Sequence, residues 1–101
     1  MLILVPVDTT KDTKAKISTL AEVQKWALVD FDEGMSKSIR FFDDRTQTGE
    51  AWIDFVVLKN NFENYMEFME ENMMVLAVRE EETLEEIIEA FKFKELDEVG
   101  F

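Results

Sequence analysis

The sequence predicts an α/β protein built on a mixed sheet of about five strands. Three observations carry this. Apolar, β-favouring runs recur at LILVPV (2–7), IDFVVL (53–58) and MVLAV (74–78), the pattern of strands covered on both faces. Between the last two runs the hydrophobic period changes from strand-like to helical. Ahead of them, QKWALVDF (24–31) and SKSIRFF (36–42) flank DEGM, a hairpin signal centred on Gly34.

Taken in order, the first run is a central strand, although Pro6 removes one ladder donor and prefers an edge or a strand end. Residues 9–22, TTKDTKAKISTLAE, have no convincing period and read as a polar loop. The hairpin follows, then the polar connector DDRTQTGEAW (43–52), punctuated by Gly49. After the strand at 53–58, Asn61 is a candidate N-cap for an amphipathic helix. Its stripe is Phe62, Tyr65, Met66, Met69 and Met73, with Glu63, Glu67, Glu70 and Glu71 elsewhere on the wheel. A strand at 74–78 comes next. Thr83 and Glu86 have capping-box spacing and open a helix to about Leu96, with Leu84, Ile87, Ile88 and Phe91 as its apolar stripe. LDEVGF reads as a tail. The element order is β-β-β-β-α-β-α, with 53–78 as a parallel crossover. Residues 1–101 form one domain, long enough to bury a core without staples.

Composition removes most chemistry. The chain has no cysteine and no histidine, so disulfides, thiolate clusters, thiol catalysis and imidazole acid–base work are excluded. A net charge of −12 opposes nucleic-acid binding, which needs cations against phosphate. The opening MLILVPVD is too short for a membrane span and lacks the basic start of a secretion signal, so a cytoplasmic location is expected. Residues 1–50 hold seven Lys/Arg against nine Asp/Glu, and residues 51–101 four against fourteen. The acidity therefore sits on the predicted helices, as a solvated surface. The loop from Lys11 to Lys25 runs the other way, with Lys11, Lys14, Lys16 and Lys25 against Asp12 and Glu22, and points to a small anionic ligand.

Ligands of such sheets lie beyond the carboxyl ends of parallel strands. That places Asp8, Thr9 and Thr10 after the first strand, and Lys59, Asn60 and Asn61 after the fourth, at a ligand edge. The second group leads into a helix N-terminus, which favours anions. Asn61 as a simple cap and Lys59 as a solvated surface charge are the plainer alternative. Asp8, Asp30 and Asp54 together suggest a divalent-metal cluster of nuclease type. Parallel pairing of the first and fourth strands would put Asp8 and Asp54 at opposite ends of the sheet, which opposes that reading. Met66, Met69, Met73 and Met74 are read as packing rather than soft-metal ligands.

These elements resemble the dinitrogenase iron–molybdenum cofactor biosynthesis family, the NifX and NifB C-terminal type of domain. VPVD (5–8) matches its first turn, Ser18 its loop serine, and WALVDFDEG (26–34) its second strand and acidic turn. DFVVLKNNFENYMEFMEENMMVLAV (54–78) and TLEEIIEAFKFKEL (83–96) match its later strand–helix–strand unit and last helix. The resemblance implies a ribonuclease H-like sheet and, for typical members, carriage of an iron–sulfur or iron–molybdenum cofactor. The departures fall on the functional positions. Thr19, Leu20 and Ala21 stand in place of a His-Phe-Gly element, and Asn60–Asn61 in place of a glycine pair. The connector 43–52 leaves no room for the family's first helix.

The expectation is therefore a non-enzymatic domain with its metal ligands lost and no predicted cofactor. It would bind a small anion or partner through Asp8, Thr9, Thr10, Ser18, Thr19, Lys59, Asn60 and Asn61. The missing helix would leave Trp26, Phe41, Phe42 and Trp52 on an uncovered sheet face, buried in a homodimer. A structural module acting through that face is the alternative.

Overall fold

A computed structural model describes residues 1–9 and 12–99. Six strands form one sheet: β1 (Leu2–Val7), β2 (Lys25–Asp32), β3 (Met35–Phe42), β4 (Phe55–Leu58), β5 (Met74–Ala77) and β6 (Asp97–Glu98), in the order β3-β2-β1-β4-β5-β6. β1, β4 and β5 are parallel, while β2, β3 and β6 run antiparallel to their neighbours. The mixed α/β class holds; the count of five strands does not. The sixth strand lies in the segment expected to be a tail, where Val99 donates its N–H to Val75 at 3.0 Å and is itself buried. Two exposed acidic residues carry no strand pattern, so this element is made by its neighbour rather than by its own sequence.

β1 is central despite its proline. Leu2 bonds across to Asp54, on the β4 side, through both its N–H and its carbonyl. By strand alternation the missing N–H of Pro6 falls on that side too, where the ladder registers only Ile3 and Leu4. The Pro6 carbonyl instead accepts from Ser18 at 2.9 Å. Proline thus ends the parallel ladder and opens a place for another segment.

The β2–β3 hairpin closes through Glu33 (φ 52°) and Gly34 (φ 80°) between paired Asp32 and Met35. Positive φ at both positions is the type I′ turn that suits strand twist. β3 is an edge strand, and a bulge opposite Asp30/Phe31 leaves Lys37 out of register. A twisted edge bearing Lys37 and Arg40 discourages pairing with other chains.

Each sheet face has its own core. On one, Ile3, Val5, Val7, Val29 and Val57 pack against helix α2 (Leu84–Lys92) through Leu84, Ile87 and Ala90. On the other, Leu4, Leu28, Val56 and Val75 pack against Phe68 and Met73 beside helix α1 (Met66–Glu70). The capping box at Thr83 and Glu86 is present in both directions. It begins α2 where expected, but the helix stops at Lys92 rather than near Leu96. Thr83→Ala is expected to lower stability by about 1 kcal/mol, read from the urea midpoint at constant m-value.

α1 departs further from expectation. It has five residues, starts after Tyr65, and is not capped by Asn61. Phe62 is 92% exposed and Met66 is exposed, whereas Phe68, outside the predicted stripe, is fully buried. Residues 59–65 are turns, bends and irregular chain, so the apolar stripe that starts at Phe62 begins ahead of the helix. Among the described residues no helix is long and apolar enough to cross a membrane.

The connector after β3 holds only a four-residue 3₁₀ turn, Arg45–Thr48, and no α-helix. It nevertheless covers the sheet. Arg45 lies 4.6 Å from the Phe68 ring centroid and forks onto Glu71 at 3.1 and 2.5 Å. The uncovered face expected from Trp26, Phe41, Phe42 and Trp52 does not form. Trp26 is buried against Phe68, and consecutive Phe41 and Phe42 pack on opposite faces. Phe41 and Phe42 are half-buried, and of the four Trp52 alone is largely exposed, at 63%.

Candidate functional site

The carboxyl ends of β1 and β4 open onto a polar hollow of about 600 Å³ lined by Asp8, Lys16, Ser18, Thr19, Glu22, Gln24 and Lys59 among others. A narrower hollow of about 240 Å³ shares Lys16, Ile17 and Lys59 with it and continues along Val78 to Glu82. The two form one region at the edge where ligands of parallel sheets collect.

The loop that builds it is ordered by backbone bonds rather than by periodic side chains. Asp8 and Lys16 bond reciprocally: the Asp8 N–H donates to the Lys16 carbonyl at 3.0 Å, and the Lys16 N–H to Asp8 Oδ1 at 3.0 Å. Ile17 donates to Glu82 at 2.8 Å, and Leu84 to Ala15 at 2.9 Å, which fastens residues 15–17 to the start of α2. Ala15 and Ile17 are buried there, anchoring a segment read from sequence as a polar loop. Farther along, the Leu20 N–H donates to Glu63 Oε1 at 2.5 Å. The other Glu63 oxygen is buried without a partner among the described residues, a local cost.

Of the residues expected at the site, Asp8, Ser18, Thr19 and Lys59 are brought together. Thr9 does not line either hollow, and Thr10 lies outside the described residues, as does Lys11. Asn60 and Asn61 line neither; Asn60 Oδ1 accepts from the Phe62 N–H at 2.9 Å and shapes a turn. With α1 beginning only at Met66, the helix N-terminus expected beside Lys59 is not there. Lys16 was visible in the sequence only as one of several loop lysines, while Gln24 and Arg79 carried no signal. Their place at the site comes from pairings between distant segments.

The hydroxyls are already committed. Buried Ser18 donates to the Thr19 carbonyl at 3.2 Å, and Thr19 donates to Glu22 Oε1 at 3.2 Å. Arg79, at the far rim, is held by Asp97 at 2.8 Å, a bond that raises its pKa further. Lys16 and Lys59 form no ion pair among the described residues. They are the uncommitted donors of the region.

The three aspartates of the metal reading are not brought together. Asp54 stands at the start of β4 and spends Oδ2 on the Leu2 N–H at 2.8 Å, while Asp8 lies at the other end of β1. Asp30 pairs with Leu2, at the Asp54 end. Among the described residues no group of three acidic side chains could hold a metal ion. A hollow offering carboxylates, hydroxyls and ammonium groups, in a chain without cysteine or histidine, does not fit thiolate or imidazole ligation of a cluster.

Fold and site together define a small α/β domain with an open, polar hollow at one edge of a mixed sheet. No family profile and no curated protein matches the chain in sequence. Solved structures share the fold over nearly its whole length. One, from Methanocaldococcus jannaschii, is a protein provisionally designated a dinitrogenase; its crystal structure is 19% identical, covers 99% of this chain and 95% of its own, and has a TM-score of 0.76. Its solution structure gives 20% identity, coverage of 100% and 94%, and a TM-score of 0.78. A provisionally designated NifB protein of the DUF35 family from Thermotoga is 17% identical over 96% of this chain and 91% of its own, at a TM-score of 0.68. The resemblance seen in the sequence is matched by these structures at the level of fold.

Proposed function

We propose that the chain is a non-enzymatic binding domain that takes a small anionic ligand between Lys16 and Lys59. The observation that carries this is their shared position. Two lysines that form no ion pair among the described residues share one region, beside the carboxylates of Asp8 and Glu22 and of Glu80 to Glu82, on a chain of net charge −12. Arg79, at the rim of the same region, is held by Asp97 and leaves the two lysines as its unpaired cations among the described residues. The ligand edge is that of a cofactor-carrier-like domain, and the names of its structural neighbours support that class. A ribonuclease H-like sheet belongs to the same reading, supported by a β2–β3 hairpin beside the parallel strands. The dimer reading keeps only Trp52 of its four proposed residues.

Calorimetric titration with inorganic phosphate and with citrate tests the site. Saturable binding that weakens with added salt is expected; no heat with either anion into the millimolar range would remove the proposal. Carriage of a metal cluster is tested separately. Anaerobic incubation with iron and sulfide, or with iron–molybdenum cofactor, followed by desalting, is expected to leave no stoichiometric visible absorption. A stoichiometric spectrum would show that this donor set does hold a cluster.

A further inference from the structure

At the opposite end of the sheet lies a groove of different chemistry. It measures about 450 Å³ and is lined by Met1, Phe31, Phe55, Met74, Leu76, Phe91 and Leu96, with Lys92, Lys94 and Glu98 as its charged residues. The acidic hollow beside α2, by contrast, is walled by six glutamates and one alanine. Phe91 holds the groove open as a rigid surface, meeting Phe31 and Phe55 edge-on at centroid distances of 5.1 and 5.0 Å. Met1 and Met74 are exposed there, as adaptable side chains at its mouth.

Lys94 is placed there at a conformational cost. α2 ends in a six-to-one and five-to-two pair of bonds: Glu95 donates to Ala90 at 2.8 Å and Lys94 to Phe91 at 3.2 Å. Glycine is the ordinary residue at the left-handed position of this motif. Here it is Lys94, at φ 58°. A lysine held in that conformation beside an apolar groove is a strained residue at a candidate binding surface. Neither Lys92 nor Lys94 has an ion-pair partner among the described residues.

We infer that this groove binds a free aliphatic carboxylate of medium chain length, its chain against Phe55, Phe91 and Met74 and its carboxylate on Lys92 and Lys94. The volume of about 450 Å³ accommodates a ten-carbon acid with room to spare, taking roughly 30 Å³, the share of a water in the liquid, for each of its heavy atoms. A mainly apolar concavity with a few placed charges is the usual form of a small-molecule site. With Lys92 and Lys94 against Glu98, the side chains of the groove carry a net positive charge, which favours an anion on a protein of net charge −12.

The test is a titration of the whole chain with decanoate, following the Met1 and Met74 methyl resonances by NMR. Saturable shifts of both are expected. Lys94→Gly separates fold from function: it relieves the left-handed strain, so the thermal midpoint should rise while decanoate affinity falls about two- to fivefold. Met74→Glu, at an exposed position, should abolish the remaining Met1 shift. Lys16→Glu/Lys59→Glu should leave decanoate binding unchanged, which keeps this site separate from the anion site proposed above. Absence of saturable shifts, or equal affinity for neutral decanol, would overturn the assignment. So would methyl shifts that depend on protein concentration alone, with sedimentation as a dimer, since a second copy would then be the occupant.

Discussion

Phe68→Ala is expected to destabilise the fold by about 3–5 kcal/mol, the range for removing a fully buried aromatic ring. Phe68 has no exposed surface and is the one buried residue of α1. A five-residue helix has almost no stability of its own, so what holds α1 to the sheet is this ring. It packs tilted against Trp26 at 6.2 Å, beneath the Arg45 guanidinium. Truncation would therefore open a cavity, free Arg45, and loosen the connector that covers this end of the sheet. Urea unfolding followed by tryptophan fluorescence reads the effect, Trp26 being the buried one of the two tryptophans. Phe68→Leu, which fills much of the space, should cost far less; equal losses, or a loss below about 1 kcal/mol for alanine, would show that the ring is not the anchor. Arg45 also couples this region to pH. It holds the Glu71 carboxyl below its ordinary range, chiefly through their hydrogen bond. A depressed carboxylate contributes stability that is present at neutral pH and lost as pH falls through the acid range, so the Arg45–Glu71 contribution fades on acidification.

The second large effect is on binding. Lys16→Glu/Lys59→Glu is expected to reduce phosphate or citrate affinity by at least about tenfold, equivalent to roughly 1.4 kcal/mol. Each reversal replaces an attraction by a repulsion at the same hollow. Stability should change by less than about 0.5 kcal/mol, because both side chains are exposed and neither is paired among the described residues. The Lys16 backbone bonds to Asp8 survive the change, so loop and ligand effects separate cleanly. Unchanged affinity in the double variant would rule out this pair as the anion site.

The parts of this molecule that could be read from residues are those whose structure is local. Thr83 and Glu86 specify their helix start because both capping bonds lie within one turn. Glu33–Gly34 specifies its hairpin in the same way. α1 could not be read correctly, because methionines tolerate many environments and the buried ring is chosen by tertiary packing. β6 exists only as a partner to Leu76 and Ala77. At the site, strand ends pointed to Asp8 and Lys59. Lys16 enters through bonds linking residues 15–17 to 82–84, which no local pattern announces.

Pro6 has a consequence during synthesis. β1 can pair with β2 as soon as the hairpin segment emerges, but its other edge waits for Val56, some fifty residues later. Throughout that interval a buried-to-be, β-favouring strand presents open backbone groups to any neighbouring nascent chain. The proline interrupts that template partway along. The residue that ends the native ladder thus also shortens the stretch on which an intruding strand could register before the chain is complete.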